Sequence, residues 1–253
     1  MAILEVSHVT KRFGGLVAVK DLNIEVEQGD LYGLIGPNGA GKTTIFNLIT
    51  GIYTPDEGTI KLDGTVIQGK KASKIAKYGI SRTFQNIRLF QSMTVLENVK
   101  IARHMRKEQG LFDAILTTPK MRREEESIDE ESMELLRIFK LADRADELAR
   151  NLPYGSQRRL AIARALATKP KVLLLDEPAA GMNPQESIEL MHLITWVRDH
   201  FQIAILLVEH NMKVVMGACQ KIQVIDYGAT IAQGAPSEIQ GNPKVIEAYL
   251  GGA

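Results

Sequence analysis

The run Gly36-Pro37-Asn38-Gly39-Ala40-Gly41-Lys42-Thr43-Thr44 has the spacing G-x-x-x-x-G-K-[ST] of a phosphate-binding loop. Its glycines let successive backbone N–H groups curl around phosphate oxygens, and a helix starting beyond them adds its positive end. Lys42 can neutralise β- and γ-phosphates, and the Thr43 hydroxyl can reach a magnesium ion. The competing reading is a glycine-rich turn that binds nothing. The flanks argue against it: a turn running into a short buried strand over residues 29–35, and the start of a helix over 45–49.

A metal-bound triphosphate also needs a carboxylate at the end of a neighbouring strand. Asp176 follows the apolar run Val172-Leu173-Leu174-Leu175 and is the candidate magnesium ligand. Glu177 comes next and can orient or deprotonate an attacking water. Gln85 follows a short strand over 80–84, where its carbonyl oxygen can reach the metal or the water; alone, it is also an ordinary surface amide. His210 follows Ile205-Leu206-Leu207-Val208-Glu209 in the same strand-end position. A neutral imidazole there can bond the γ-phosphate and hold Glu177; the alternative is a cap for the helix beginning at Asn211. Phe13, in a Lys-Arg-Phe-Gly-Gly turn, either stacks on adenine or packs in the core.

These residues must be positioned by an α/β frame. Alternating strands over 3–9 and 18–27, with a short strand over 58–64, make an antiparallel N-terminal part around the phosphate-loop unit. From 94 to 148 helix formers dominate. Thr94 and Glu97 have capping-box spacing, residues 110–118 break the pattern, and 122–140 read as one long helix. Its stripe is Ile128, Ser132, Leu135 and Phe139; the acids from Glu124 to Glu134 read as a solvated face, with contact to a basic surface as the alternative. The α/β rhythm returns with buried strands over 171–175 and 201–208, a helix over 187–200, a helix over 211–218, and strands over 222–226 and 230–234. Short helices over 236–239 and 243–250 follow, the last ended by Gly251-Gly252. The expected organisation is a core of 1–87 and 159–253 interrupted by a helical subdomain of 88–158.

Composition narrows the class. With 31 basic and 30 acidic residues in 253, the chain has no polycationic footprint for nucleic acid. Cys219 is the sole cysteine, which excludes an intrachain disulfide and reads as a small buried hydrophobe. No apolar run approaches the ~18 residues of a membrane span, and the N-terminus enters a strand without a basic leader, so a cytosolic chain is expected.

The combination resembles the ATP-binding subunits of ABC transporters over essentially the whole chain. Gly36–Thr44 match Walker A, Leu173–Asp176 match Walker B with Glu177 as catalytic glutamate, Gln85 the Q-loop, His210 the switch histidine, and Phe13 the adenine-stacking position. The run Leu152-Pro153-Tyr154-Gly155-Ser156-Gln157-Arg158-Arg159-Leu160-Ala161-Ile162-Ala163-Arg164-Ala165-Leu166 matches the signature helix, and Ala180-Gly181-Met182-Asn183 falls at the D-loop. Within the family, Arg82-Thr83-Phe84-Gln85-Asn86-Ile87-Arg88-Leu89-Phe90, Glu177-Pro178-Ala179-Ala180-Gly181-Met182-Asn183-Pro184 and the ending Glu247-Ala248-Tyr249-Leu250-Gly251-Gly252 are similar to the larger ATPase of branched-chain amino acid uptake systems.

The resemblance implies a P-loop NTPase fold of ABC type, with an antiparallel β subdomain and an inserted helical subdomain. It implies ATP and Mg²⁺ at Thr43, Gln85 and Asp176. It implies pairing with a second ATPase subunit, or with itself in isolation, on the cytoplasmic face of a membrane beneath two permease subunits served by an extracytoplasmic binding protein. Pro153, Tyr154, Gly155 and Ser156 would then act on the partner's nucleotide. Two positions depart from the pattern: Pro153 replaces the signature serine and Ser156 the expected glutamine. A proline offers neither hydroxyl nor N–H, so the bond the serine gives a γ-phosphate cannot form. Related importers for urea or short amides, a repair or translation ATPase, and a non-hydrolysing clamp are the rival readings.

Overall fold

The computed structural model describes residues 2–104 and 119–250. The break read over 110–118 and the glycines read as ending the last helix therefore lie outside the described residues. The chain falls into two compact units, Met1–Gln85 together with Lys171–Ala253, and Asn86–Pro170.

In the first unit, three strands consist of buried residues throughout: β3 (Leu31–Ile35), β7 (Val172–Asp176) and β8 (Ala204–Val208). Side chains buried on both faces are what a covered parallel sheet demands. The strands sit in a six-stranded sheet of order β10-β9-β3-β8-β7-β6, with β6 at Ile80–Arg82, β9 at Lys221–Asp226 and β10 at Ala229–Gly234. All neighbours in it are parallel except the β9–β10 hairpin, so β6, β7, β8 and β3 end at one edge. In such sheets that edge is where ligands bind.

The second sheet is antiparallel, order β2-β1-β4-β5, from β1 (Ala2–Phe13), β2 (Leu16–Glu27), β4 (Glu57–Leu62) and β5 (Thr65–Val66). Val19, Leu22, Ile24 and Val26 go inward and share one core with Tyr32, Ile45 and Phe46. The mixed α/β architecture, with its antiparallel N-terminal sheet, is as the sequence implies. Lys11–Phe13 belong to β1 rather than to a turn, because a bulge at His8 (φ 52°) and Asp21 (φ 47°) lets the strands run on to Gly14.

The helices of this unit are α1 (Lys42–Ile49), α2 (Ala72–Tyr78), α6 (Pro184–Phe201), α7 (Met212–Ala218), α8 (Pro236–Gln240) and α9 (Pro243–Leu250). Phe201 closes α6 instead of opening β8. Cys219 follows α7, buried against β3: a Cβ on Gly33 would lie 3.1 Å from its Sγ. Burial pushes this thiol up to about 12.

The second unit is helical: α3 (Val95–His104), α4 (Pro119–Ile138) and α5 (Tyr154–Ala167). Its edge at Pro170 keeps α5 whole, whereas the sequence boundary at 158 falls inside that helix. Thr94 and Glu97 form the reciprocal capping box, at 3.1 and 2.7 Å. Ile128, Ser132, Leu135 and Phe139 are buried. The acidic face of α4 is not merely solvated: Asp129 pairs with Lys100, Glu131 with Arg103 and Lys169, and Glu125 with His104. The basic surface it meets is the chain's own. Among the described residues no helix is long and apolar enough to cross a membrane.

Candidate functional site

The loop joining β3 to α1 is shaped by backbone no side chain would permit. At Gly36 (φ 155°) an added Cβ would stand 2.0 Å from the Ile225 carbonyl oxygen; at Gly41 (φ 107°) it would stand 2.6 Å from that of Ala18. Gly41 is the N-cap of α1 and supplies no side-chain cap, so the N–H groups of the first helical turn have no capping oxygen from it. Lys42 is buried, and its Nζ donates to the carbonyls of Gly36 (2.6 Å) and Pro37 (2.8 Å). Desolvation lowers its pKa, with Glu177 and Asp176 opposing the shift.

Asp176 closes β7, Glu177 follows it, and His210 lies just past the end of β8. Asp176 pairs in register with Val208, and the Glu177 N–H continues the ladder to the Val208 carbonyl at 2.8 Å. The chain then turns sharply, with Glu177 at φ 47°. Its carboxylate accepts from Gln85 Nε2 at 2.8 Å, and His210 Nδ1 lies 3.6 Å from the same oxygen. It is thus the nitrogen end of the Gln85 amide that is engaged. Asn211, not His210, caps α7 through its side chain.

Two neighbours escaped the sequence reading. Arg82, at the end of β6, donates to Asp176 Oδ2 and to Asn47 Oδ1, each at 2.7 Å, with its guanidinium against the rings of Phe46 and Phe84. Glu209 is 1% exposed and accepts from the Ala179 N–H at 2.8 Å. Burial raises its pKa, while the Ala179 bond and His210 oppose the shift. The available signal was a charged residue at or just past the end of an apolar parallel strand, the pattern that drew attention to Asp176.

A cleft of about 290 Å³ gathers Asn38, Gly39, Ala40, Gly41, Lys42, Thr43, Thr44, Gln85, Asp176, Glu177 and Val208. Residues from four separate stretches of sequence therefore converge on one cleft. Gly36 and Pro37 touch this group through Lys42. Phe13 is not among the lining residues; it is 41% exposed, edge-on to Tyr53 at 5.1 Å, with Lys11 over its ring. The signature residues belong to the second unit. There Pro153 is the N-cap of α5 without a side-chain bond, Tyr154 is exposed, and buried Ser156 Oγ accepts from Arg159 at 3.2 Å.

The donor set suits a triphosphate and a hard cation. Thr43, Gln85, Asp176 and Glu177 present oxygens, and one lysine balances phosphate charge. Among the described residues there is no group of three or more His, Cys, Asp or Glu side chains able to hold a metal ion. A cation at the cleft would therefore depend on phosphate oxygens, hydroxyl, amide and water in addition to a carboxylate, which is the habit of magnesium.

Comparison with known proteins agrees with this geometry. The family model described as ABC transporter matches residues 19–180, and a second, branched-chain amino acid ATP-binding cassette transporter, matches 229–253. The "High-affinity branched-chain amino acid transport ATP-binding protein LivG" of Salmonella typhimurium is 48% identical over 252 residues, covering 99% of this chain and 98% of its own. The corresponding protein BraF of Pseudomonas aeruginosa is 48% identical over 251 residues, with the same coverage of both chains. The ADP conformation of an ATP-binding cassette of an ABC transporter superposes with a TM-score of 0.86 at 32% identity, covering 99% of both chains. A phosphate loop, two strand-end acids and near-complete coverage by these relatives lead to one assignment: the chain belongs to the ABC transporter family, as one of its nucleotide-binding, ATP-hydrolysing subunits.

Proposed function

We propose that this chain powers uptake of branched-chain amino acids, as one of two ATPases bound beneath a pair of membrane permeases. The observation carrying this reading is the cleft that gathers the phosphate loop, Gln85, Asp176 and Glu177, with His210 Nδ1 standing 3.6 Å from the Glu177 carboxylate. The substrate is inferred from the LivG and BraF relatives and from the match at 229–253.

In this reading Lys42 exchanges its two loop carbonyls for β- and γ-phosphate oxygens, while backbone N–H groups from Asn38 to Thr44 cradle the rest. Thr43, Gln85 and Asp176 hold Mg²⁺, whose positive charge offsets that of the transferring phosphoryl group. Glu177 takes the proton from the attacking water, and His210 orients Glu177 and the γ-phosphate. Phe13 stacks on the adenine. Pro153, Tyr154, Gly155 and Ser156 face the nucleotide held by the partner ATPase. The core of 1–87 and 159–253 carries the hydrolytic machinery and the 88–158 segment carries the signature. The chain is peripheral on the cytoplasmic face, served indirectly by an extracytoplasmic binding protein, and binds no nucleic acid.

Reconstitution into vesicles with the neighbouring permease and ATPase subunits tests this. ATP-driven accumulation of labelled leucine, abolished by Lys42→Ala, is the expected result. Accumulation of urea or a short amide instead would reassign the solute. ATP binding without turnover in the full assembly would make the chain a nucleotide-dependent clamp.

A further inference from the structure

The turn that carries Glu177 is held from the neighbouring strand by a residue with no role so far. β7 and β8 end level, Asp176 opposite Val208, so Glu177 and Glu209 are the next residues on adjacent parallel strands. Glu177 adopts φ 47°, a conformation that an L-residue other than Asn or Asp keeps only when its surroundings hold it there. Part of the hold is backbone: the Glu177 N–H to Val208 at 2.8 Å, and the Ala180 N–H back to the Glu177 carbonyl at 3.1 Å. A further grip, from the neighbouring strand, is the Glu209 carboxylate, which receives the N–H of buried Ala179 at 2.8 Å.

The same carboxylate borders His210. Its other oxygen lies 3.3 Å from the His210 backbone N–H and 4.0 Å from His210 Nδ1. Glu209 thus touches the turn after Glu177 with one oxygen and the residue facing Glu177 with the other. At 1% exposure it has no lysine or arginine within salt-bridge distance among the described residues. A carboxylate so thinly paired in the interior is a poor choice for stability alone; an apolar residue of similar volume fills such a place at lower cost.

We propose that Glu209 is a positioning residue for hydrolysis: by holding the Ala179 N–H beside His210, it fixes the Glu177 carboxylate in line with the phosphate loop. This rests on the hydrolytic role assigned to Glu177 above. The essential feature is an oxygen acceptor at that point, so Glu209→Gln, which keeps a carbonyl oxygen, preserves the hold. Glu209→Leu removes it.

The test is single-turnover ATP hydrolysis by the full chain, together with ATP and ADP affinity. Glu209→Leu is expected to lower the hydrolysis rate about 10- to 100-fold, the worth of a hydrogen bond to a charged acceptor, with nucleotide affinity within about threefold of the parent. Glu209→Gln is expected within about threefold of the parent on both. A Leu variant hydrolysing at the parent rate, or losing affinity as much as rate, overturns the proposal, as does a Gln variant as slow as Leu. Glu177→Gln is measured alongside: if it still hydrolyses, the underlying reading fails, whereas its inactivity beside an active Leu variant removes the positioning role alone. Should Glu209→Leu not fold, amide hydrogen exchange of the parent decides. The Ala179 N–H is expected to be strongly protected, and exchange at the rate of an open loop refutes the bond.

Discussion

Removing Arg82 isolates the electrostatics beneath the cleft. Its guanidinium and the Asp176 carboxylate are 6% and 10% exposed as side chains and 2.7 Å apart. Arg82→Ala leaves that carboxylate without its cation, and breaking a buried pair from one side costs about 3–5 kcal/mol. Asp176 is at the rim of the buried region, so the lower end applies, about 3 kcal/mol. In a chain of this size each kcal/mol lowers the melting temperature by about 2–4 °C, giving a loss of about 6–12 °C. Circular dichroism melts in magnesium-free buffer read this directly. Arg82→Lys keeps the charge but loses the fork that also reaches Asn47 and stacks on Phe46 and Phe84, so it falls between. Asp176→Asn removes the charge left behind, and the double variant is expected to lose less than the sum of the singles by at least about 1 kcal/mol. Saturating Mg-ATP supplies Asp176 with another cation and narrows the Arg82→Ala deficit. A melt within about 2 °C of the parent, or strictly additive losses, refutes the reasoning.

Other expectations follow from the same geometry. Glu177→Gln keeps ATP binding and slows single-turnover hydrolysis about 10²- to 10⁴-fold, trapping a dimer visible by gel filtration; a rate within threefold of the parent removes Glu177 as the general base. Pro153→Ser, with or without Ser156→Gln, restores a donor at the start of α5 and raises turnover of the reconstituted transporter by up to about tenfold. No gain in turnover means that the missing donor at Pro153 does not limit the cycle. Stability also depends on pH through Glu209, which burial raises from an ordinary value of 4.5. The folded chain holds this proton more tightly than the unfolded one, so the contribution is complete below 4.5 and erodes as pH climbs through the folded value. The groups around it, Glu177, His210 and Cys219, leave that direction in place. The melting temperature of Glu209→Gln therefore gains on the parent's as pH climbs above 4.5, and parallel curves contradict it.

The parts of the fold legible in the sequence are those where one constraint dictates residue type locally. β3, β7 and β8 are buried on both faces, so they are apolar from end to end and announce themselves. The phosphate loop is legible because its backbone excludes Cβ atoms, and it lines one cleft with the three remote residues Gln85, Asp176 and Glu177. α2 was missed because Ile75 is its only buried residue, which leaves no periodicity to read. Arg82 and Glu209 were missed for a different reason. Their partners, Asp176 and Ala179, lie 94 and 30 positions away, and strand order decides those meetings. The acids of α4 show the same limit: spacing reveals a charged face, while the tertiary packing decides that Lys100, Arg103 and His104 of α3 sit across from it.

Cys219 makes the core beneath the phosphate loop observable from outside. It is the sole thiol in the chain, shielded from water, and its proton is held up to about 12. An alkylating reagent attacks the thiolate, so at neutral pH it meets almost none in the folded protein. Modification then requires the α7–β9 corner to open away from Gly33 on β3, the strand that feeds the loop. The rate of mass gain under reagent is a clock for that opening, and a nucleotide that grips the loop slows the clock without any label being introduced. The same shielding lets a second cysteine, placed on the surface by design, be tagged selectively while the native one stays in place.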